Sequence, residues 1–330
     1  MEGTDLRLEG YRSSRPSRRV MALLGVLLAL SACGGKTALR AGSSSAASPA
    51  STSALFPVTL TDDDGVRVTI PAPPKRIITF APSNTEIVFA LGLGSELVGV
   101  SGKFDNYPPQ AKGIQQVGGA GEFGDQPNVE RVVALHPDLM LTISGGEQWK
   151  QRLREVGIPV FSVNATQFTD LLADIRTVGR ITGVPQRAAA LTAQMAARAA
   201  AVQAAVSIEA RVSCFFEAYY PPLTSVGPHT FIFDLLKRAG CDPVSAGADS
   251  DYPEWSVDKL VAEGPAVYLV ASESGVSPQA VAKRPGFGAI TAVKDGRVYL
   301  IDSDLVSRPG PRVVDGLEAL ARILHPGSVP

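Results

Sequence analysis

Apolar positions along this chain fall into short β-rich runs and longer helical stretches, and the alternation is played out twice. Residues 58–61 and 66–70 are β-branched runs on either side of Asp62, Asp63, Asp64 and Gly65, which predicts a hairpin turned at Asp-Gly. The acidic triplet lacks the alternating ligand spacing of an EF-hand loop, so it is not read as a calcium site. Pro71, Pro73 and Pro74 end the hairpin. Residues 76–80 then suit a buried strand. Ser83, followed three residues later by Glu86, predicts a capping box that opens an apolar helix over 87–91. Gly92 and Gly94 stop it. Residues 97–100 make a second strand, and a β-α-β unit of this kind implies a parallel pair with a right-handed crossover.

The rhythm continues. Asn128 caps a helix over 129–135, His136 and Pro137 break it, and 138–143 is a strand. Gly145 and Gly146 precede a helix to about 156, and 158–163 is another strand. Residues 168–182 are helical up to the interruption at Gly183, Val184 and Pro185. The next stretch, 186–206, is mostly alanine, the best helix former. Its twenty-one residues at ~1.5 Å each span about 31 Å, and it reads as a rigid connector between two lobes. Beyond it come a strand (212–218), helices (231–239 and 257–263), two strands (266–271 and 298–301) and a closing helix (311–324). The class is α/β, with two lobes of similar plan and no strict internal repeat.

Ahead of the first strand the pattern changes. Arg12, Arg15, Arg18 and Arg19 lead into an apolar run, 20–30, and then into Leu30, Ser31, Ala32, Cys33 and Gly34. Residues 1–32 therefore read as a secretory signal peptide, its apolar run being shorter than the about 20 residues a membrane-spanning helix needs. The cysteine after Leu-Ser-Ala resembles the lipobox of bacterial lipoproteins, which implies lipidation of Cys33 after cleavage. Residues 33–54 are rich in Ser, Ala and Gly and read as a flexible tether. The globule is expected to comprise a first lobe (55–184), a connecting helix (185–207) and a second lobe (208–330), since one core rarely serves so long a chain.

An exported, membrane-tied protein has little access to ATP, NADH or nucleic acid. A net charge of −1 likewise gives no electrostatic footprint for nucleic acid. Cys214 and Cys241 could pair in an oxidising compartment or stay as buried thiols; unpaired thiols are the expectation. No cysteine or histidine spacing suggests a zinc or haem site.

Candidate chemistry is sparse. Gly119, Gly121 and Gly124 match G-x-G-x-x-G, but no strand precedes them and no helix follows, so they read as a flexible loop. His136 and His325 sit at helix ends before proline, and His229 in a loop; none has an evident partner for metal binding or base catalysis. There is no G-x-S-x-G elbow, and Ser83 reads as a helix cap. An enzyme is therefore not expected, nor a resident cofactor. The loop aromatics Phe104, Tyr107, Phe123, Tyr252 and Trp255 either line a cleft with flat apolar surface or plug loops onto the lobes.

The runs 76–86, 91–94 and 97–101 resemble the opening of the class III extracytoplasmic binding proteins of ABC importers, which carry vitamin B12, ferric siderophores or haem. Segments 105–109, 128–130, 134–138, 227–240, 284–287 and 295–299 continue the likeness in order. The resemblance implies two Rossmann-like α/β lobes joined by a single long interdomain helix, with the ligand in the cleft between them. A single helix permits only modest lobe movement.

The look is closest to the vitamin B12 binders. By that likeness Tyr107, Phe123, Tyr252 or Trp255, and Arg308 line the cleft. Glu130 and Asp258 match the acidic residues that meet arginines of the permease, although acids in a helix's first turn also complement its dipole. The resemblance thus implies a monomeric, lipid-anchored receptor that delivers a small organometallic ligand, cobalamin, to an ABC permease. A ferric siderophore or haem is the alternative ligand; anionic catecholates want several arginines, and Arg308 is the one obvious candidate. From other classes, an extracytoplasmic hydrolase and a sensor lipoprotein remain to be weighed.

Overall fold

Strands whose residues are buried on both faces organise the molecule. The computed structural model describes residues 55–118 and 126–328. The signal segment, the tether with Cys33, and the glycine-rich loop with Phe123 lie outside the described residues. Strands β1 (Val58–Thr61) and β2 (Arg67–Ile70) form the antiparallel hairpin, with Gly65 at φ +79 completing its turn. The first lobe follows as β3 (Ile77–Phe80), α1 (Pro82–Ala90), β4 (Leu97–Val100), α2 (Val129–Ala134), β5 (Leu139–Thr142), α3 (Glu147–Glu155), β6 (Val160–Ser162) and α4 (Phe168–Ile181). Helix α5 (Pro185–Val206) leads to the second lobe. That lobe contains β7 (Val212–Glu217), α6 (Phe231–Arg238), β8 (Cys241–Pro243), α7 (Val257–Glu263), β9 (Val267–Ala271), α8 (Pro278–Ala282), α9 (Thr291–Lys294), β10 (Val298–Ile301), α10 (Ser303–Val306) and α11 (Val313–Leu324).

The two sheets are wholly parallel and wound alike. The first runs β4-β3-β5-β6 and the second β8-β7-β9-β10. Alternation explains their burial. Ile77, Leu139 and Leu141, like Cys214, Phe216 and Leu269, face one continuous core shared by both lobes. Ile78, Met140 and Val160 face a separate cluster on the first sheet's far side, and Phe215, Tyr268 and Val270 face one on the second's.

Helix α5 begins at Pro185, one residue before the alanine-rich stretch, where a missing N–H costs nothing. Its buried residues Ala188, Thr192, Met195, Ala199, Val202 and Val206 step by four and three, so one seam faces inward. Alanine lets neighbours come close. A Cβ on Gly179 of α4 would lie 2.3 Å from the Ala188 Cβ. On another side, Arg198 pairs with Asp315 (2.6 Å) and Glu318 (2.9 Å) of α11. The alanine-rich helix is thus gripped by one helix from each lobe.

Two expectations are corrected and a third is extended. Cys214 and Cys241 are not unpaired thiols but form a disulfide, their Cα atoms 5.9 Å apart on the paired strands β7 and β8. Strand β8 is three residues long and ends in proline, so the sequence pattern did not expose that pairing. The Ser83/Glu86 capping box does not form either: Ala81 is the N-cap, without a side-chain cap, Pro82 starts the helix, and Glu86 turns to a partner in the other lobe. The acidic triplet, read only as a turn, stitches the hairpin to β6. Asp62 accepts from its own turn (Val66 N, 2.8 Å) and from Arg154 (3.2 Å). Asp63 accepts from Asn164 N (2.6 Å), and Asp64 meets the fully buried Lys150 (2.5 Å) and the Ser162 hydroxyl (2.6 Å).

Candidate ligand-binding cleft

In parallel α/β sheets ligands bind beyond the carboxyl ends of the strands, where the winding order reverses. Both sheets here turn those ends toward the same cleft. Chain leaving β3, β5 and β6 supplies Pro82, Ser83, Asn84, Ile143 and 163–166; chain following β7, β8 and β10 supplies 229–231, Asp251, Tyr252 and 307–309. The cleft holds about 430 Å³, within the about 300–1,000 Å³ usual for small-molecule sites. Pro82, Ile87, Ile143, Val163 and Phe231 are its apolar walls; Ser83, Asn84, Asn164, Thr166 and His229 are neutral polar groups among them.

One margin is closed by a polar network that crosses between lobes. Arg312 donates to both oxygens of Glu86 (2.9 and 2.6 Å) and lies 3.9 Å from the centroid of the Tyr107 ring. Arg308 donates to Asn106 (2.8 Å), pairs with Asp304 (2.5 Å) and stands 3.9 Å from Glu86. Asn106 in turn donates to Asp304 (3.1 Å). The Glu86 side chain is only 2 % exposed. Burial pushes its carboxyl above the usual range, and Arg312 counters without cancelling.

The expected site residues separate on inspection. Arg308 lines the cleft, and so does Tyr252, 61 % exposed at its rim. Tyr107 does not line it. It is 43 % exposed in an adjoining hollow of about 380 Å³, with Glu86, Pro311 and Arg312. Trp255 departs from expectation most clearly. At 7 % exposure it belongs to the second lobe's core, its ring 5.4 Å from Phe215. The bond from Trp255 N to Leu223 O (2.8 Å) and the bridge between Thr224 and Glu254 hold this segment against the preceding turn and send the indole inward. Phe123 lies outside the described residues. Glu130 and Asp258 are exposed in the first turns of α2 and α7. Those helices already have side-chain caps, from Asn128 (3.0 Å) and Ser256 (3.2 Å), so neither acid is needed as one.

Three cleft groups escaped sequence reasoning: Asn84, Asp174 and His229 in this role. The histidine was noted as a loop residue; nothing local marked the other two. Among the described residues no group of three or more metal-ligating side chains is placed to hold a metal ion. Asp174 lies on α4, and burial, with the carboxylates of Asp63 and Asp170 nearby, pushes its carboxyl up to about 7 from an ordinary 3.8. A carboxyl raised on folding favours the folded state below its unfolded value, and that contribution is lost as pH rises through the folded one. At 1.36 kcal/mol per unit the swing is up to about 4 kcal/mol. We expect Asp174→Asn to remove it: denaturant melts at pH 5 and pH 8 should converge, with the variant more stable than the wild type at pH 8. Parallel pH profiles for the two proteins would refute this.

Two α/β lobes of the same winding, facing each other across a cleft at their strand ends, define a solute-binding protein. The profile of the family described as periplasmic binding protein matches residues 77–305, and the chain belongs to that family. It is 34 % identical over 282 residues to an uncharacterised ABC transporter substrate-binding lipoprotein, YvrC, of Bacillus subtilis, covering 82 % of this chain and 87 % of that one. It is 32 % identical over 287 residues to a cobalamin-binding protein of Halobacterium salinarum, covering 82 % and 74 %. The structure of an ABC-type Fe3+-hydroxamate transport system protein from Saccharomonospora viridis superposes with a TM-score of 0.68 at 28 % identity, covering 82 % and 99 %. The chain is thus a substrate-binding protein of the ABC-importer type, a class that acts outside the cytoplasm and works with a membrane permease. Among the described residues no helix is long and apolar enough to cross a membrane.

Proposed function

We propose that this receptor binds cobalamin or a related corrinoid, is tethered to the membrane by a lipid on Cys33, and presents Glu130 and Asp258 to its permease. The observation that carries the ligand is the charge of the cleft. Among the described residues its one arginine, Arg308, is already paired with Asp304 and close to Glu86, while Asp251 adds a carboxylate. An anionic ferric catecholate would meet no uncommitted cation there among the described residues. A corrinoid is flat-faced and fringed with neutral amides, and it suits apolar walls set with serine, asparagine, threonine and histidine. It is larger than the cleft as it stands, so it would also occupy the rim at Tyr252 and move the lobes slightly apart.

A ferric hydroxamate is the second reading, kept because of the Saccharomonospora relative. Calorimetric titration with cyanocobalamin, haem, a ferric hydroxamate and a ferric catecholate separates them. We expect saturable one-to-one binding of cyanocobalamin and none of the catecholate. Binding of a siderophore or haem with no heat from cyanocobalamin would overturn the corrinoid reading.

A further inference from the structure

The first turn of α1 is unusual for a helix in a packed protein, because its polar side chains point inward. Ser83, Asn84, Thr85 and Glu86 are all buried. Two of them are provided for: the Thr85 hydroxyl bonds Thr79 (2.6 Å) and Asp105, and Glu86 meets Arg312. Asn84 is not. It is 1 % exposed, and among the described residues neither its Nδ2 nor its Oδ1 has a hydrogen-bond partner. Buried polar groups are nearly always paired, because a lost water contact left unreplaced is expensive. A leucine of similar size would avoid that cost, so the amide stands out as a group with work elsewhere.

Its position says where. Asn84 lines the cleft, and the helix it belongs to begins there without a side-chain cap. The Asn84 and Thr85 amides turn back to Ala81 O (3.1 and 3.2 Å), which leaves the preceding Ser83 N–H uncapped among the described residues. Nδ2 and Oδ1 offer a donor and an acceptor side by side. That pair matches one chemical group well, a primary carboxamide, which carries an acceptor and a donor in the same arrangement. A carboxylate could accept from Nδ2 but would turn its second oxygen toward Oδ1, with nothing to donate.

We propose that Asn84, with the adjoining start of α1, forms a carboxamide-recognising subsite on the floor of the cleft that selects ligands by their amide fringe. This deepens the corrinoid reading and rests on it. The loop 307–310 of the second lobe lies over this floor: a Cβ on Gly310 would stand 3.4 Å from Glu86 Oε2 and 3.6 Å from Ser83 O. The subsite therefore engages ligand as the bonds of Arg308 and Arg312 across the cleft loosen.

The test uses the mature protein, Asn84→Leu and Asn84→Asp, titrated with a fully amidated corrinoid and with its counterpart whose peripheral amides are hydrolysed to carboxylates. The wild type should prefer the amidated form. Asn84→Leu should lose about tenfold or more in affinity for that form, with little change for the carboxylate form. Its melting temperature without ligand should hold or rise, because a buried unpaired amide has been removed. Asn84→Asp should also bind the amidated form more weakly, having lost its donor. Wild-type affinity and preference in Asn84→Leu would overturn the subsite while leaving the corrinoid reading intact. A lower melting temperature in that variant would overturn it too, since the amide would then be structural. No corrinoid binding by the wild type would refute the ligand reading and the subsite with it.

Discussion

Replacing Glu130 and Asp258 together by lysine should abolish uptake while leaving ligand affinity within about twofold of the wild type. Both acids are exposed, and neither lines the cleft. Each helix keeps its cap from Asn128 or Ser256, so the direct cost to folding is the reversed dipole interaction, about 0.3–1 kcal/mol per site. One exposed ion pair contributes only ~0.2–1 kcal/mol, but inverting a charge sets like against like, which costs several kcal/mol across an interface. Two such sites, one on each lobe, should prevent productive docking. Single reversals should transport at intermediate rates. Uptake of labelled cobalamin by cells that carry only the variant, with calorimetry on the purified protein, reads both quantities. Transport at the wild-type rate by the double variant would remove these acids from the docking surface.

Arg312→Ala should cost about 3–5 kcal/mol of stability, because it leaves a carboxylate buried without its partner. Glu86 is only 2 % exposed, and Arg312 reaches both of its oxygens from the other lobe. The loss should depend on pH in a definite direction. The Glu86 carboxyl already sits above its ordinary value through burial. Without Arg312 it rises further, so the variant's deficit should be largest at pH 8 and shrink as acid neutralises the group. Adding Glu86→Gln should recover part of the loss. Denaturant melts of the single and double variants at pH 5 and pH 8 give the comparison. A deficit under about 1 kcal/mol at pH 8 would mean that the interlobe pair contributes little, as exposed pairs do.

The fold was largely legible because its signals are local. Runs such as Ile77–Phe80 and Val267–Ala271 are short, β-rich and bounded by turn residues, and the alanines of α5 announce a helix by propensity alone. Of the site, the family likeness put Arg308 and Tyr252 in a cleft, and both line one here. Ser83 and Glu86 carry the right spacing for a capping box, yet a tertiary partner 226 residues away prevailed over the local motif. Trp255 sits in the expected loop, but the register of its neighbours turns the ring inward. The disulfide depended on β8, three residues that no periodicity marks. Asn84 was hidden for a simpler reason: an unpaired amide is a property of surroundings, and a sequence does not display them.

The grip of α4 and α11 on α5 bears on how a permease would recognise a loaded receptor. With a helix of either half fastened along the same strut, the molecule resembles two cupped hands tied at the wrists. The spacing between contact points on the two halves would then widen only slightly when cargo is held. A transporter facing such an object gains little by gauging its width. The informative difference would be local: which side chains at the mouth of the crevice are held still by cargo, and which are left to move.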